Sequence, residues 1–262
     1  MIMIKIIALV FLFSCSNQDT SIDKKKTLGS DYRLFQNTPA WELAKSVKEG
    51  DTNKIRVFIK ENKELVDYRD PVYGQTLLKM AVYNRNYYSV ITLLELGADP
   101  NKQDYHDALS PVMEAASLGG GGSVHPFADP RYLKILLKYG GDPNAVQNGD
   151  KMKRNKTYFT PLNLACLSGI FEYVQILVNA GANVNYDSKQ GFNSLYASTV
   201  GGNPKITLFL LKKGADFKQP MYINAKGGKK YLLDAIKIWN FNKESEEYKE
   251  QIEIIDFLKN KK

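Results

Sequence analysis

The side chains able to carry covalent or acid–base chemistry are few. The 262 residues hold two cysteines, Cys15 and Cys166, and two histidines, His106 and His125. A nucleophilic cysteine needs a base held beside it, and a hydrolytic metal centre needs three or more His, Cys or carboxylate ligands at defined spacing. No such spacing stands out, and both histidines fall in loop-like stretches. The four glycines at 119–122 could in principle cradle a phosphate through backbone N–H groups. They lack the Gly-Lys-Ser/Thr that a phosphate loop requires, and no strand-like run precedes them. The expectation is therefore no catalytic residue, no metal and no cofactor.

The remaining chemistry lies at Cys15. The opening residues MIMIKIIALVFLFS place one cation, Lys5, before an unbroken apolar run from Ile6 to Phe13. A membrane span needs about 20 apolar residues, so this shorter run reads as a secretory leader. Leu12-Phe13-Ser14-Cys15 resembles a bacterial lipobox, with Phe13 a less usual occupant. The resemblance implies cleavage before Cys15, a thioether-linked diacylglycerol on its sulfur and an added N-acyl chain. More than one acyl chain gives a stable anchor, whereas a single chain binds only marginally. Ser16 stands where an Asp would signal retention, so the same resemblance implies the periplasmic face of the outer membrane. Loss of residues 1–14 removes Lys5 and no acid, lowering the formal charge from +8 to +7. Nucleic acid is not an expected partner of an exported basic chain. With Cys15 modified, Cys166 has no disulfide partner and is expected as a buried, inert thiol.

The elements that position everything else are read from residues 160–185, TPLNLACLSGIFEYVQILVNAGANVN. Thr160 can cap a helix whose first position suits Pro161, and Gly169 can end it in the left-handed conformation. Phe171, Val174, Ile176, Leu177 and Val178 then make a second apolar stripe, closed by Gly181. One such helix pair cannot bury its own apolar face and needs similar neighbours. They are present: related units start at Thr76, Ser110, Thr160 and Asn193, in steps of 34, 50 and 33.

The Thr-Pro-Leu opening, the paired small residues, the close L-L-x-x-G-A-D-x-N and the period resemble the ankyrin repeat. Leu77 and Ser194 depart from the opening Pro, and the usual His is Lys79, Met113, Asn163 or Tyr196. The resemblance implies an all-α ankyrin-repeat solenoid of about four full repeats with degenerate terminal capping repeats and short β-turn fingers. Residues 1–14 are then the leader, 15–38 a polar tether carrying Lys24, Lys25 and Lys26, and 39–262 the repeat domain. Insertions fall at about 119–131 and 145–159, the second with Lys151, Lys153, Arg154 and Lys156 against Asp150. Leu43, Val47, Ile55, Val57, Phe58 and Ile59 are the expected apolar face of the first cap. Ile252, Ile255, Phe257 and Leu258 close the last.

Ankyrin-like solenoids bind other proteins through finger tips and first-helix faces that form a concave wall. Mapped onto this chain, the wall's candidate partner-binding residues are Tyr73, Tyr83, Tyr105, His106, Tyr158, Phe159 and Phe192. Phe127 in the first insertion is an added contact. Tyrosine and other rings favour binding because they offer large apolar area at small entropic cost. Some of them are expected to pack between fingers instead. The likeness to bacterial ankyrin-repeat lipoproteins implies a chain that is monomeric when unbound and meets another protein at the membrane. That partner is a toxin effector such as a lipase in one reading, and a resident envelope protein in the alternative. Replacing Cys15 by Ala is expected to abolish incorporation of a labelled fatty acid; continued labelling would reject the lipobox assignment.

Overall fold

A computed structural model describes residues 22–118, 128–148, 158–186, 192–223 and 228–261. Helix starts follow the expected caps. The side chains of Thr76, Ser110, Thr160 and Asn193 accept the backbone N–H groups of Lys79, Met113, Asn163 and Tyr196, at 3.2, 3.3, 3.3 and 2.8 Å. Each satisfies one of the N–H groups that a helix start leaves without a partner. At Thr160 the cap is reciprocal, since the Asn163 carboxamide oxygen accepts the Thr160 N–H at 3.0 Å.

Six helix pairs follow one another among the described residues. They are α1 (Trp41–Glu49) with α2 (Thr52–Glu61), α3 (Leu77–Tyr83) with α4 (Tyr87–Glu95), and α5 (Pro111–Ser117) with α6 (Pro130–Lys138). Next come α7 (Pro161–Ser168) with α8 (Phe171–Asn179), α9 (Ser194–Val200) with α10 (Pro204–Lys212), and α11 (Leu232–Ile236) with α12 (Glu246–Asn260). The first helix of each pair packs on the first helix of the next, and the second on the second, giving two layers. The core between them is continuous. Leu78, Val90, Leu93, Leu133, Leu136, Leu162, Val174, Leu177 and Leu210 are completely buried, so each pair hides its stripe only because a neighbour covers it. Cys166 is fully buried in α7, and burial pushes its thiol pKa up, as expected for an inert packing residue. The one sheet among the described residues is a two-residue ribbon, β1 (Tyr222–Ile223) antiparallel to β2 (Lys229–Lys230).

The turns that leave the second helices are bridged by a ladder of carboxamides. Asn101 Nδ2 donates to the Gly140 carbonyl at 2.8 Å while its Oδ1 accepts the Asp142 N–H at 2.7 Å. Asn144 does the same to Gly181 and Asn183, at 3.0 and 2.7 Å, and Asn185 to Gly214 and Asp216, at 3.1 and 2.7 Å. Gly181 must be glycine-like, since its φ of +91° is strained for residues with a Cβ. At the first joint Asp67 accepts the Asp99 N–H at 3.1 Å, the acceptor half of the same device.

Two expectations need correction. The tether does not extend to residue 38: Tyr32, Leu34 and Phe35 are buried in the core, in a single 3-10 turn capped by Asp31. Three apolar side chains gain more by covering the first helix layer than by solvation, although their run is too short to show a period. Val57 on α2 and Ile252 on α12 are exposed rather than packed, because these outer faces of terminal pairs have no neighbour. The first insertion lies outside the described residues except for 128–131, and the second except for 145–148 and 158–159.

Asn144→Ala removes both halves of a central rung and is expected to cost about 1–2 kcal/mol, read as a lower urea midpoint. Asn144→Asp keeps the acceptor and should lose less. An unchanged midpoint for the alanine variant would show that the rung does not stabilise the stack.

Candidate protein-binding surface

Two buried aspartates shape the first fingers. Asp70 Oδ1 accepts the N–H groups of Val72 and Tyr73, both at 2.8 Å, and its Oδ2 accepts that of Gln75 at 2.7 Å. Thirty-four residues on, one repeat step, Asp104 Oδ1 accepts the N–H groups of His106, Asp107 and Ala108 at 2.8, 2.7 and 3.2 Å. A carboxylate that organises its own loop in this way fixes the backbone on either side of it. The side chains of Tyr73, Tyr105 and His106 are thereby set at the tips.

The two fingers are tied together, since the Tyr105 N–H donates to the Tyr73 carbonyl at 2.8 Å. The Tyr105 ring lies against Gly74, where a Cβ would come within 2.2 Å of it and where φ is +69°, so only glycine fits. The Arg69 guanidinium stands 4.8 Å from the Tyr105 ring centroid and donates to the Gly74 carbonyl at 2.8 Å. Tyr105 nonetheless keeps 68% of its surface exposed. The Tyr73 ring meets His106 edge-on at 5.5 Å, and His106 Nδ1 is 2.9 Å from Asp107 Oδ2. Tyr83 closes α3 with 51% exposure.

Tyr73, Tyr83 and His106 line a hollow of about 410 Å³. Its floor is charged. Lys79 Nζ lies 2.7 Å from Asp104 Oδ2, 3.5 Å from Glu114 Oε2 and 3.2 Å from Gln75 Oε1, with all three charged side chains buried. Burial pushes the Glu114 carboxyl above the usual carboxylate range, and the Lys79 ammonium opposes that shift. With Asp107, three carboxylates face one ammonium here, so the hollow is acidic within a chain whose formal charge is +8. Among the described residues no His, Cys, Asp and Glu cluster is arranged to hold a metal ion.

Farther along, the fingers are joined through side chains. Gln103 Nε2 donates to the Val146 carbonyl at 2.7 Å, and Gln147 Nε2 to that of Asp107 at 2.9 Å. Phe159 and Phe192 meet edge-on at 4.8 Å, and Phe192 meets Tyr196 at 4.9 Å. These half-buried rings pack one finger on the next, and Tyr158, which precedes Phe159 in the chain, is half-buried as well. The candidates thus divide. Tyr73, Tyr83 and His106 converge on the hollow, Tyr105 stands exposed on the same pair of fingers against Gly74 and Arg69, and Phe159 and Phe192 hold the wall together. Phe127 and Cys15 lie outside the described residues.

Sequence reasoning missed the ion cluster. Its signal was Lys79, a cation where the repeat pattern carries His, which required carboxylates nearby once the helix face was buried. The folded state holds the Glu114 proton more tightly than the unfolded chain does, where the pKa is about 4.3. That contribution is fully present below the unfolded pKa and is lost as pH rises through the raised folded value. Glu114→Gln is therefore expected to flatten the fall in stability as pH rises above the unfolded value of about 4.3, measured as urea midpoints across a pH series. An unchanged pH slope would mean that Glu114 does not titrate abnormally.

Comparison with known proteins places this geometry. The ankyrin-repeat family matches residues 124–221 as three copies and residues 73–105 as one. Protein PhlB of Serratia liquefaciens is 31% identical over 176 residues, covering 66% of this chain and 67% of PhlB. The ankyrin repeat and SAM domain-containing protein 6 of Rattus norvegicus is 31% identical over 154 residues, 52% of this chain. The ankyrin repeat and KH domain-containing protein mask-1 of Caenorhabditis elegans is 27% identical over 195 residues, 69% of this chain. The chain spans only 15% and 7% of those two longer proteins. Ankyrin stacks are protein-interaction scaffolds, and with these repeats, helix layers and fingers the chain belongs to the ankyrin-repeat family.

Proposed function

We propose that this protein is a lipid-anchored ankyrin-repeat protein of the bacterial periplasm that binds a partner protein on its finger wall. It acts by binding, not catalysis. The observation that carries the reading is the exposure of Tyr83 and His106 at the acidic hollow and of Tyr105 on the finger beside it, with the fingers held by buried aspartates and inter-finger hydrogen bonds. Rigid rings beside a charged pocket supply apolar anchors and orientation together, and little entropy is lost when they engage. The pocket's carboxylates favour a basic segment on the partner.

The leader and the Leu12–Cys15 motif support the anchor and the outer-membrane location. The likeness to bacterial ankyrin-repeat lipoproteins supports the narrower role of an immunity protein that neutralises a toxin acting in the periplasm, such as a lipase effector. No helix of the described residues is long and apolar enough to cross a membrane.

Capture from a detergent extract of the producing bacterium tests both levels. A single stoichiometric toxin supports the immunity role, and resident envelope proteins would replace it with a scaffold role. Tyr83→Ala with Tyr105→Ala is expected to weaken capture by roughly 10- to 100-fold, about 1.4–2.8 kcal/mol, with the thermal midpoint unchanged. Phe159→Ala with Phe192→Ala should lower the midpoint instead. Undiminished capture by the tyrosine variant would remove the hollow from the interface.

A further inference from the structure

The segment just before the buried Tyr32–Phe35 turn crosses the binding wall, and the wall holds it in an unusual way. Tyr73 Oη donates to the Thr27 carbonyl at 2.8 Å, Gln75 Nε2 to that of Gly29 at 2.9 Å, and Asn84 Nδ2 to that of Ser30 at 2.8 Å. Three side chains from one finger and the end of α3 thus read three main-chain carbonyls within four residues. The segment's own side chains add little, since Leu28 is 77% exposed and Thr27, Gly29 and Ser30 are only partly covered. Anchorage comes afterwards, where Tyr32, Leu34 and Phe35 are buried and Asn86 Nδ2 lies 3.3 Å from Tyr32 Oη.

The crossing is loosely packed. On one side lies the acidic hollow described above; on the other is a second hollow of about 810 Å³, lined by Lys26, Arg33 and Lys48 together with Asp31. Leu28 and Ser30 border both. A segment integral to the core would have side chains filling such spaces. One position bears on the row directly: a Cβ on Gly29 would come within 2.7 Å of Gln75 Nε2, so a larger residue there pushes the amide end away and breaks its bond to the Gly29 carbonyl.

We propose that the row Tyr73, Gln75 and Asn84 is a binding site for an extended polypeptide segment. Residues Thr27–Ser30 fill it in the free protein, and a segment of the partner with glycine at the Gly29 position exchanges for them. Recognition through main-chain carbonyls tolerates different side chains, while the Gln75 contact selects a small residue at one point. The resident segment lowers apparent affinity by the fraction of time it occupies the row, so the partner must compete with an intramolecular ligand. Asp31, whose carboxylate caps the buried turn, marks the end that stays in place. Displacement would uncover the polar row beside Tyr83 and His106. The identity of the ligand as a partner rests on the proposed binding role, but the site can be tested without any partner.

A labelled peptide with the sequence of residues 26–32, KTLGSDY, is titrated into the full-length protein. Gly29→Val and Gly29→Glu, which crowd Gln75 and in the second case add a carboxylate beside Asp104 and Glu114, should each bind the peptide about tenfold or more tightly than wild type. Adding Gln75→Ala and Asn84→Ala to either should abolish that binding while the protein still unfolds in one cooperative thermal transition. Amide exchange over residues 27–30 should be faster in both Gly29 variants, which verifies that the row has been vacated. If neither variant gains affinity, or if the gain survives loss of Gln75 and Asn84, the row is not a peptide site. Failed peptide exchange with partner capture intact overturns this proposal alone; intact exchange with no protein captured overturns the partner reading alone.

Discussion

Three successive joints in the middle of the stack are each held in register by one carboxamide that donates to a glycine carbonyl and accepts a backbone N–H across the joint. Asn101, Asn144 and Asn185 make these rungs, and Asp67 makes half of one at the first joint. Apolar burial drives the pairs together, but it is nearly indifferent to small sliding, because one leucine ridge resembles another. Hydrogen bonds are directional and so fix what burial leaves loose. Fingers carried on such joints keep their relative positions, and the binding wall inherits that order.

Within the wall, polar groups do more than face water. Asp70 and Asp104 are buried and organise their loops, and Lys79 is buried between two carboxylates. Burying three charges is costly unless each is well partnered, and an apolar replacement of similar volume is often as stable. Retaining them makes physical sense if the hollow's field matters for what approaches it. Lys79 stands where the repeat pattern has a neutral or switchable ring, so this part of the molecule departs from its family where partner selection would act.

Much of this was legible in the residues. Thr160, Pro161, Gly169 and Gly181 punctuate a helix pair unambiguously, and the steps of 34 and 33 repeat the message. The fingers' aromatic content was visible too, but its division was not: Phe159 and Phe192 are packing residues only because two fingers distant in sequence bring their rings to 4.8 Å. The Asn residues looked like ordinary turn formers, since nothing local reveals a bond to a glycine in the next repeat. Tyr32, Leu34 and Phe35 went unrecognised as core for a similar reason. Three apolar positions among polar residues show no period, and their partners lie on later helices.

The central claim is that partner contact occurs on the finger wall and not on the outer helix layer. A photo-crosslinking residue placed singly at Tyr83, Tyr105, Val57 and Tyr88 in cells tests this directly, since all four positions are more than half exposed. The first two lie on the wall, and the last two lie on the second helices α2 and α4. The account predicts one discrete protein adduct from Tyr83 and Tyr105 and none from Val57 or Tyr88. Adducts from Val57 or Tyr88 alone would contradict it.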